Sequence, residues 1–239
     1  MRAGRESDGL GWSPAKPSRP RCRDPTPGRL RVQCDTQAVR HAGKVSQMDR
    51  VSVVGNAGSG KSRLAAELAG VLGTRHIELD AVIHQANWND LEVDEFRRRV
   101  GCLVAADSWV IDGNYSTVRD LVWARADTVI WLDLPRLTVM TRVTRRTLGR
   151  VVTRRELWNG NRESWRDALS LAPDRSVVAW AWVQHRHYQR MYQAAARDPA
   201  WVDLHFVRVR SRRERAKLLS QAAQNSGGGK GGIRTLGRG

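Results

Sequence analysis

From position 48 to about 224 the apolar residues follow two alternating periods. Short segments rich in β-branched and apolar residues read as strands: Val51-Ser52-Val53-Val54, a buried run, then residues 76–79, Trp109-Val110-Ile111, residues 128–132 and residues 204–209. Between them the apolar positions recur every three to four residues and read as helices. One covers 62–71, with Leu64, Leu68 and Val71 on one face. Another covers 93–106, with Phe96, Val100, Leu103 and Val104 inward. A third opens at Pro135, which suits a first helical turn, and runs through Val139 and Val143 to about Arg146. A closing helix is expected from 212 to about 223. Strands alternating with helices predict an α/β domain, a parallel sheet covered on both faces.

The pattern changes between the fourth and fifth strands. Residues 149 to about 199 form a long insert with Trp158, Trp165, Trp180 and Trp182 among many arginines. Its second half, 176–193, reads as one helix. Its first half, about 149–175, has weak periodicity and reads as a mobile flap. Residues 1–47 hold five prolines among arginines and read as a disordered basic arm, or as sequence upstream of a true start at Met48. Residues 225–239 read as a flexible Gly-rich tail. The domain to be explained is therefore 48–224.

Charge and cysteines narrow the setting. The chain carries a net +17, which suits nucleic acid, an anionic surface or a phosphorylated substrate. Much of that charge lies in the tails: the first 47 residues have ten Lys/Arg against four Asp/Glu. Nucleic acid is thus an alternative partner, reached through the basic tails, and not the favoured one. Cys22, Cys34 and Cys102 form no C-x-x-C pair and read as reduced thiols of a cytoplasmic protein. No apolar run is long enough to span a bilayer, so no membrane partner is expected.

The chemistry centres on GNAGSGKS: Gly55, Asn56, Ala57, Gly58, Ser59, Gly60, Lys61 and Ser62. It fills every position of the phosphate-binding P-loop and lies between a predicted strand and a predicted helix. Its glycines let backbone N–H groups approach phosphate oxygens at a helix N-terminus. Lys61 is expected at the β/γ-phosphates and the Ser62 hydroxyl at Mg²⁺. The bland alternative is a glycine-rich turn. Ligands of open parallel sheets bind beyond the carboxyl ends of the strands, where Asp80, Asp112 and Asp133 are expected. Asp112 is the candidate metal group and Asp80 the candidate for holding or deprotonating an acceptor hydroxyl. Asp133 is expected to act, or only to cap the next helix. Arg142 and Arg146, four apart on one helix face, are candidates for the transferred phosphoryl group. Arg145, Arg150, Arg154 and Arg155 extend that basic face. Weaker candidates are Arg186 and Arg190 for the nucleotide, and Trp88, Asn114 and Tyr115 for the acceptor. His185 and His187 point to different helix faces and do not read as a metal pair.

Taken together, these residues resemble the adenylate-kinase-like P-loop kinases, and most of all the bacterial topology modulation protein (FlaR-related) branch. The resemblance runs from about Met48 to Leu219 and rests on VVGNAGSGKS, HIELDAVIHQANW, WVIDGNYS, ADTVIWLDLPR and VRVRSRRE. It implies a five-stranded parallel sheet in order 2-3-1-4-5, a lid between strands four and five, ATP with Mg²⁺ at Gly55–Ser62, and the lid-entrance arginine pair at Arg142 and Arg146. Adenylate kinases carry Asp-Gly-Phe-Pro-Arg after strand three. Here Asp112-Gly113-Asn114-Tyr115-Ser116 lacks the arginine, and none stands between Asp80 and Asn89. Arg119 is nearby. The expectation is a kinase acting on a nucleotide-like or hydroxyl-bearing small molecule. The alternative is a nucleic-acid-associated P-loop NTPase or regulator.

Overall fold

The structure is a computed structural model that describes residues 48–153, 156–161, 166, 170, 172–173 and 176–227. The basic arm, the Gly-rich tail beyond 227 and parts of the flap, with Arg154, Arg155 and Trp165, lie outside the described residues.

Five strands form one parallel sheet: β1 Arg50–Gly55, β2 His76–Glu78, β3 Trp109–Asp112, β4 Thr128–Leu132 and β5 His205–Val209. Their order is β2-β3-β1-β4-β5, all neighbours parallel, as the resemblance implied. Alternation along each strand sends side chains to two faces. Val51, Val53, Val110, Ile130 and Leu132 pack against Leu64 and Leu68 of α1 (Lys61–Leu72) and Leu218 of α7 (Arg212–Gly227). Leu64 and Leu68 are fully buried, each contributing roughly 1.5–3 kcal/mol. On the other face Val54, Ile77, Ile111, Val129 and Trp131 meet Phe96 and Val100 of α3 (Val93–Val104), Val118 and Val122 of α4 (Ser116–Trp123), and Tyr192 of α6 (Val177–Ala195).

Three boundaries and one helix differ from the pattern-based reading. β2 stops at Glu78, and Asp80 lies in the first turn of a short helix, α2 (Leu79–Ile83), instead of ending the strand. The apolar Leu79 continues the strand pattern but packs under Gly113, where a Cβ would fall 2.8 Å from Leu79 Cβ. Helix α4 was not foreseen, because eight residues with Val118 and Val122 as the periodic pair give too little pattern to read. Helix α5 (Arg136–Thr153) continues seven residues past Arg146, beyond the expected start of the flap, because Thr147 and Val151 prolong its buried stripe. α7 likewise runs past 223 to Gly227. The helix expected at 176–193 is present, with Ser176 as its N-cap accepting from the Ala179 N–H.

Candidate active site

β1 delivers the chain into the glycine loop, and its neighbours fix the loop's shape. Gly55, Gly58 and Gly60 have φ of 150°, 82° and 90°, where side chains are strained. A Cβ on Gly55 would lie 2.9 Å from the Leu132 carbonyl, and one on Gly58 2.7 Å from the Val139 carbonyl. At Gly60 the nearest atom is Arg142 Nη1 at 4.0 Å, so that side of the loop is open. Asn56 folds the loop on itself: its Oδ1 accepts from the Ala57 N–H (2.8 Å) and its carbonyl from the Ser59 N–H (3.1 Å). Its Nδ2 donates to the Ala181 carbonyl of α6 (2.7 Å) and lies 3.5 Å from His185 Nδ1. Asn114 grips the loop's first residue from the far side. It accepts from the Gly55 N–H (3.1 Å), donates to the Gly55 carbonyl (2.6 Å) and accepts from the Tyr192 hydroxyl (3.0 Å). The Asn114 amide, expected at the acceptor, is committed to shaping the loop.

A pocket of about 470 Å³ opens beside Gly58, Ser59 and Gly60. Arg142 and Arg146 of α5 form one wall, Ser211, Arg212 and Arg215 another, with Arg63, Leu132 and Leu134 completing it. Arg142 donates to the Ser59 carbonyl (3.3 Å). Burial, and then the charges of Arg212 and Arg215, push the Arg142 pKa down. Glu67 accepts from Arg63 (3.0 Å) and Arg215 (2.6 Å), far short of neutralising the arginines. Such a pocket favours a polyanion. Ser211, Arg212 and Arg215 were not read as site residues, although SRRER, one residue past the last strand, was their signal. Lys61, Ser62, Asp80 and Asp112 lie outside this pocket's wall. Arg145, Arg186 and Arg190 are exposed and also outside it.

Asp112 ends β3 and is 1% exposed. Its Oδ2 lies 3.2 Å from His76 Nε2, and that hydrogen bond raises the His76 pKa against burial. Its Oδ1 is buried with no hydrogen-bond partner. Ligand atoms of His76, Glu78 and Asp112 fall within 4.8 Å of one another. Two of the three are carboxylates, whose oxygens suit a hard divalent cation, and the third is an imidazole nitrogen. A phosphate chain is suited by the open face at Gly60 and by the Ser59 Oγ, which is also buried without a partner.

Asp80 lies in a second polar group. Its Oδ1 accepts from the Tyr115 hydroxyl (2.7 Å), which is 3.3 Å from His84 Nε2. His84 Nδ1 is 2.6 Å from Asp90 Oδ1. Burial, then the Asp80 charge, push the Tyr115 phenol far above its ordinary range, so it stays a donor. His84 and Asp90 were not read as site residues, since their spacing becomes meaningful only once the loop after α2 folds back. Asp133 is 7% exposed and takes Arg208 Nε (2.9 Å) and Gln189 Nε2 (2.8 Å). It ties β4 to β5 and α6 rather than capping α5. His185 is buried and His187 exposed, and the pair does not converge.

No protein-family profile matches the chain, and no curated protein matches it in sequence. Among solved structures it is similar to a shikimate kinase from Acinetobacter baumannii in complex with shikimate, at 16% identity and TM-score 0.46, over 77% of this chain and 95% of that one. It is also similar to a gluconokinase from Sinorhizobium meliloti, at 16% identity and TM-score 0.40, over 76% and 93%. A shikimate kinase from Bacteroides thetaiotaomicron gives 12% identity and TM-score 0.44, over 74% and 97%.

Proposed function

We propose that the chain is a cytoplasmic, Mg–ATP-dependent phosphotransferase acting on a small hydroxyl-bearing molecule. The observation that carries this reading is the arginine-lined pocket built directly on the open face of the glycine loop. Lys61 and the loop N–H groups would hold the phosphates, and Ser62 and Asp112 the magnesium. Magnesium, when bound, neutralises charge on the phosphate oxygens. Arg142 and Arg146 would stabilise the charge that spreads over the γ-phosphoryl oxygens. Asp80, oriented by Tyr115, would hold the acceptor hydroxyl and take its proton. The acceptor oxygen then bonds to the γ-phosphorus as the bond to the β–γ bridging oxygen breaks, and ADP leaves. The motifs WVIDGNYS and VIWLDLPR favour the topology modulation branch of such kinases.

Charge narrows the acceptor. Residues 76–96 contain six Asp/Glu and no Lys or Arg, in a chain with 41 of the latter. A segment that supplies Asp80, His84 and Asp90 and lacks cations is poorly suited to a phosphate-bearing acceptor. It suits a neutral or amine-bearing hydroxyl compound.

ADP release by the purified full chain tests this, with Mg–ATP and panels of sugars, polyols, amino alcohols, nucleosides and nucleoside monophosphates. Turnover is expected with a neutral or amine-bearing compound. Lys61→Ala should lower it at least ~100-fold, the scale of losing a positioned transition-state charge, without changing the circular dichroism spectrum. Failure of the wild-type chain to bind ATP in Mg²⁺ refutes the reading.

A further inference from the structure

The insert reaches the acceptor side through one buried residue. Asn161 is 3% exposed, although its segment, 156–161, runs along the surface. Its side-chain amide is used on both ends by the loop that follows α2. Oδ1 accepts from the Trp88 N–H (2.8 Å), and Nδ2 donates to the Gln85 carbonyl (2.8 Å). Its own carbonyl accepts from the Leu157 N–H (2.7 Å), closing the turn that presents it. Asn159 adds a hydrogen bond from Nδ2 to the His84 carbonyl. Three backbone polar groups of one loop, at His84, Gln85 and Trp88, are thus satisfied by two asparagines about 75 residues further along the chain.

The grasped loop is not relaxed by itself. Trp88 has φ 54°, a conformation bulky residues avoid, and its N–H is the one Asn161 holds. The Trp88 indole meets His84 edge-on at 5.5 Å. From His84 the contacts pass inward to Tyr115 and so to the Asp80 carboxylate. Loop, ring and carboxylate therefore depend on where the 84–88 backbone is held.

Resting on the phosphotransferase reading above, we propose that Asn161 is a positioning residue: it latches the insert onto the 84–89 loop and thereby fixes the Asp80 carboxylate for the acceptor hydroxyl. It touches neither nucleotide nor acceptor itself. Latched, the insert and the acceptor loop form one wall. Unlatched, the loop relaxes at Trp88, and Asp80 loses the orientation given by His84 and Tyr115.

Two measurements on the full chain test this. In amide hydrogen exchange, Asn161→Ala should speed exchange across 84–89 about tenfold or more and leave 51–62 unchanged. Asn161→Asp keeps an acceptor for the Trp88 N–H and should restore protection at Trp88, a rescue that general destabilisation does not produce. Unchanged exchange at 84–89 in Asn161→Ala overturns the latch. The second measurement is ADP release from Mg–ATP with water as the acceptor. Asn161→Ala and Asp80→Asn should each lower it several-fold, and the double variant should be no slower than Asp80→Asn alone, because the latch acts through Asp80. Additive losses overturn the positioning role. A wild-type chain that binds no Mg–ATP and releases no ADP with water or with any acceptor of the panel sinks the phosphotransferase reading, and the exchange pattern then still decides whether the latch exists.

Discussion

Gly58 and Gly60 have nearly the same φ but opposite surroundings. Alanine at 58 must displace the Val139 carbonyl at 2.7 Å and Val143 Cβ at 2.9 Å, both on α5, besides adopting a strained backbone. Alanine at 60 meets only the tip of Arg142 at 4.0 Å. Gly58→Ala should therefore cost on the order of 1–3 kcal/mol more than Gly60→Ala in urea unfolding, while both weaken nucleotide binding. Equal stability losses would contradict the packing assigned to the loop. The loop itself was legible from eight adjacent residues because its chemistry is local. Asn114 was not: WVIDGNYS placed it at the strand end correctly, but its partners Gly55 and Tyr192 are 59 and 78 residues away. Asn161 was invisible for the same reason, being an asparagine in a weakly patterned stretch.

Helices here are held by more than apolar stripes. Asn114 joins the glycine loop to α6 through the Tyr192 hydroxyl, so the two residues should rank in effect. Asn114→Ala strips both bonds from Gly55 and should raise the nucleotide Kd more than Tyr192→Phe. The latter removes one neutral bond and should cost about 1 kcal/mol of stability. Isothermal titration with ATP and thermal unfolding check the order. Between α3 and α4, Arg97 grips Asp120 with two nitrogens (2.9 and 2.7 Å) and also reaches the Thr117 carbonyl. The Arg97 hydrogen bonds hold the Asp120 carboxyl below its usual range. A depressed carboxylate pKa adds stability above the unfolded-state value and loses it as pH falls through the folded-state value. Asp120→Asn should cost about 0.5 kcal/mol near neutrality, a small figure because both partners are partly exposed and screened. In urea unfolding the gap to wild type should close as pH drops from about 5 to about 3, across the carboxylate range. A gap independent of pH would show that the pair contributes packing, not charge. None of this was readable beforehand, since α4 is too short to announce itself by period.

For the whole molecule, the alternation of strands and helices was enough for a parallel α/β domain. The strand order came with the resemblance to P-loop kinases, and the sheet has that order. What escaped was the path of the insert. Its second half lies against the glycine loop through Ala181 and His185, and its segment 156–161 lies against the loop after α2. No pattern in the intervening residues announces either contact. The charge reading belongs to this scale too. If the basic tails alone attract nucleic acid, a chain trimmed to 48–227 should keep its ATP affinity and lose salt-sensitive retention on DNA, as a filter-binding salt titration would show. Retention by the trimmed chain would favour the nucleic-acid-associated reading instead. A last consequence concerns how such a protein changes over generations. Asn161 addresses the backbone at Gln85 and Trp88, and Asn159 that at His84. Side chains at 85–87 can therefore be exchanged without removing the hydrogen bonds that hold the insert. On the proposed phosphotransferase reading, replacements at these side chains would alter the wall facing the acceptor while Asn159 and Asn161 keep their hold on the loop backbone.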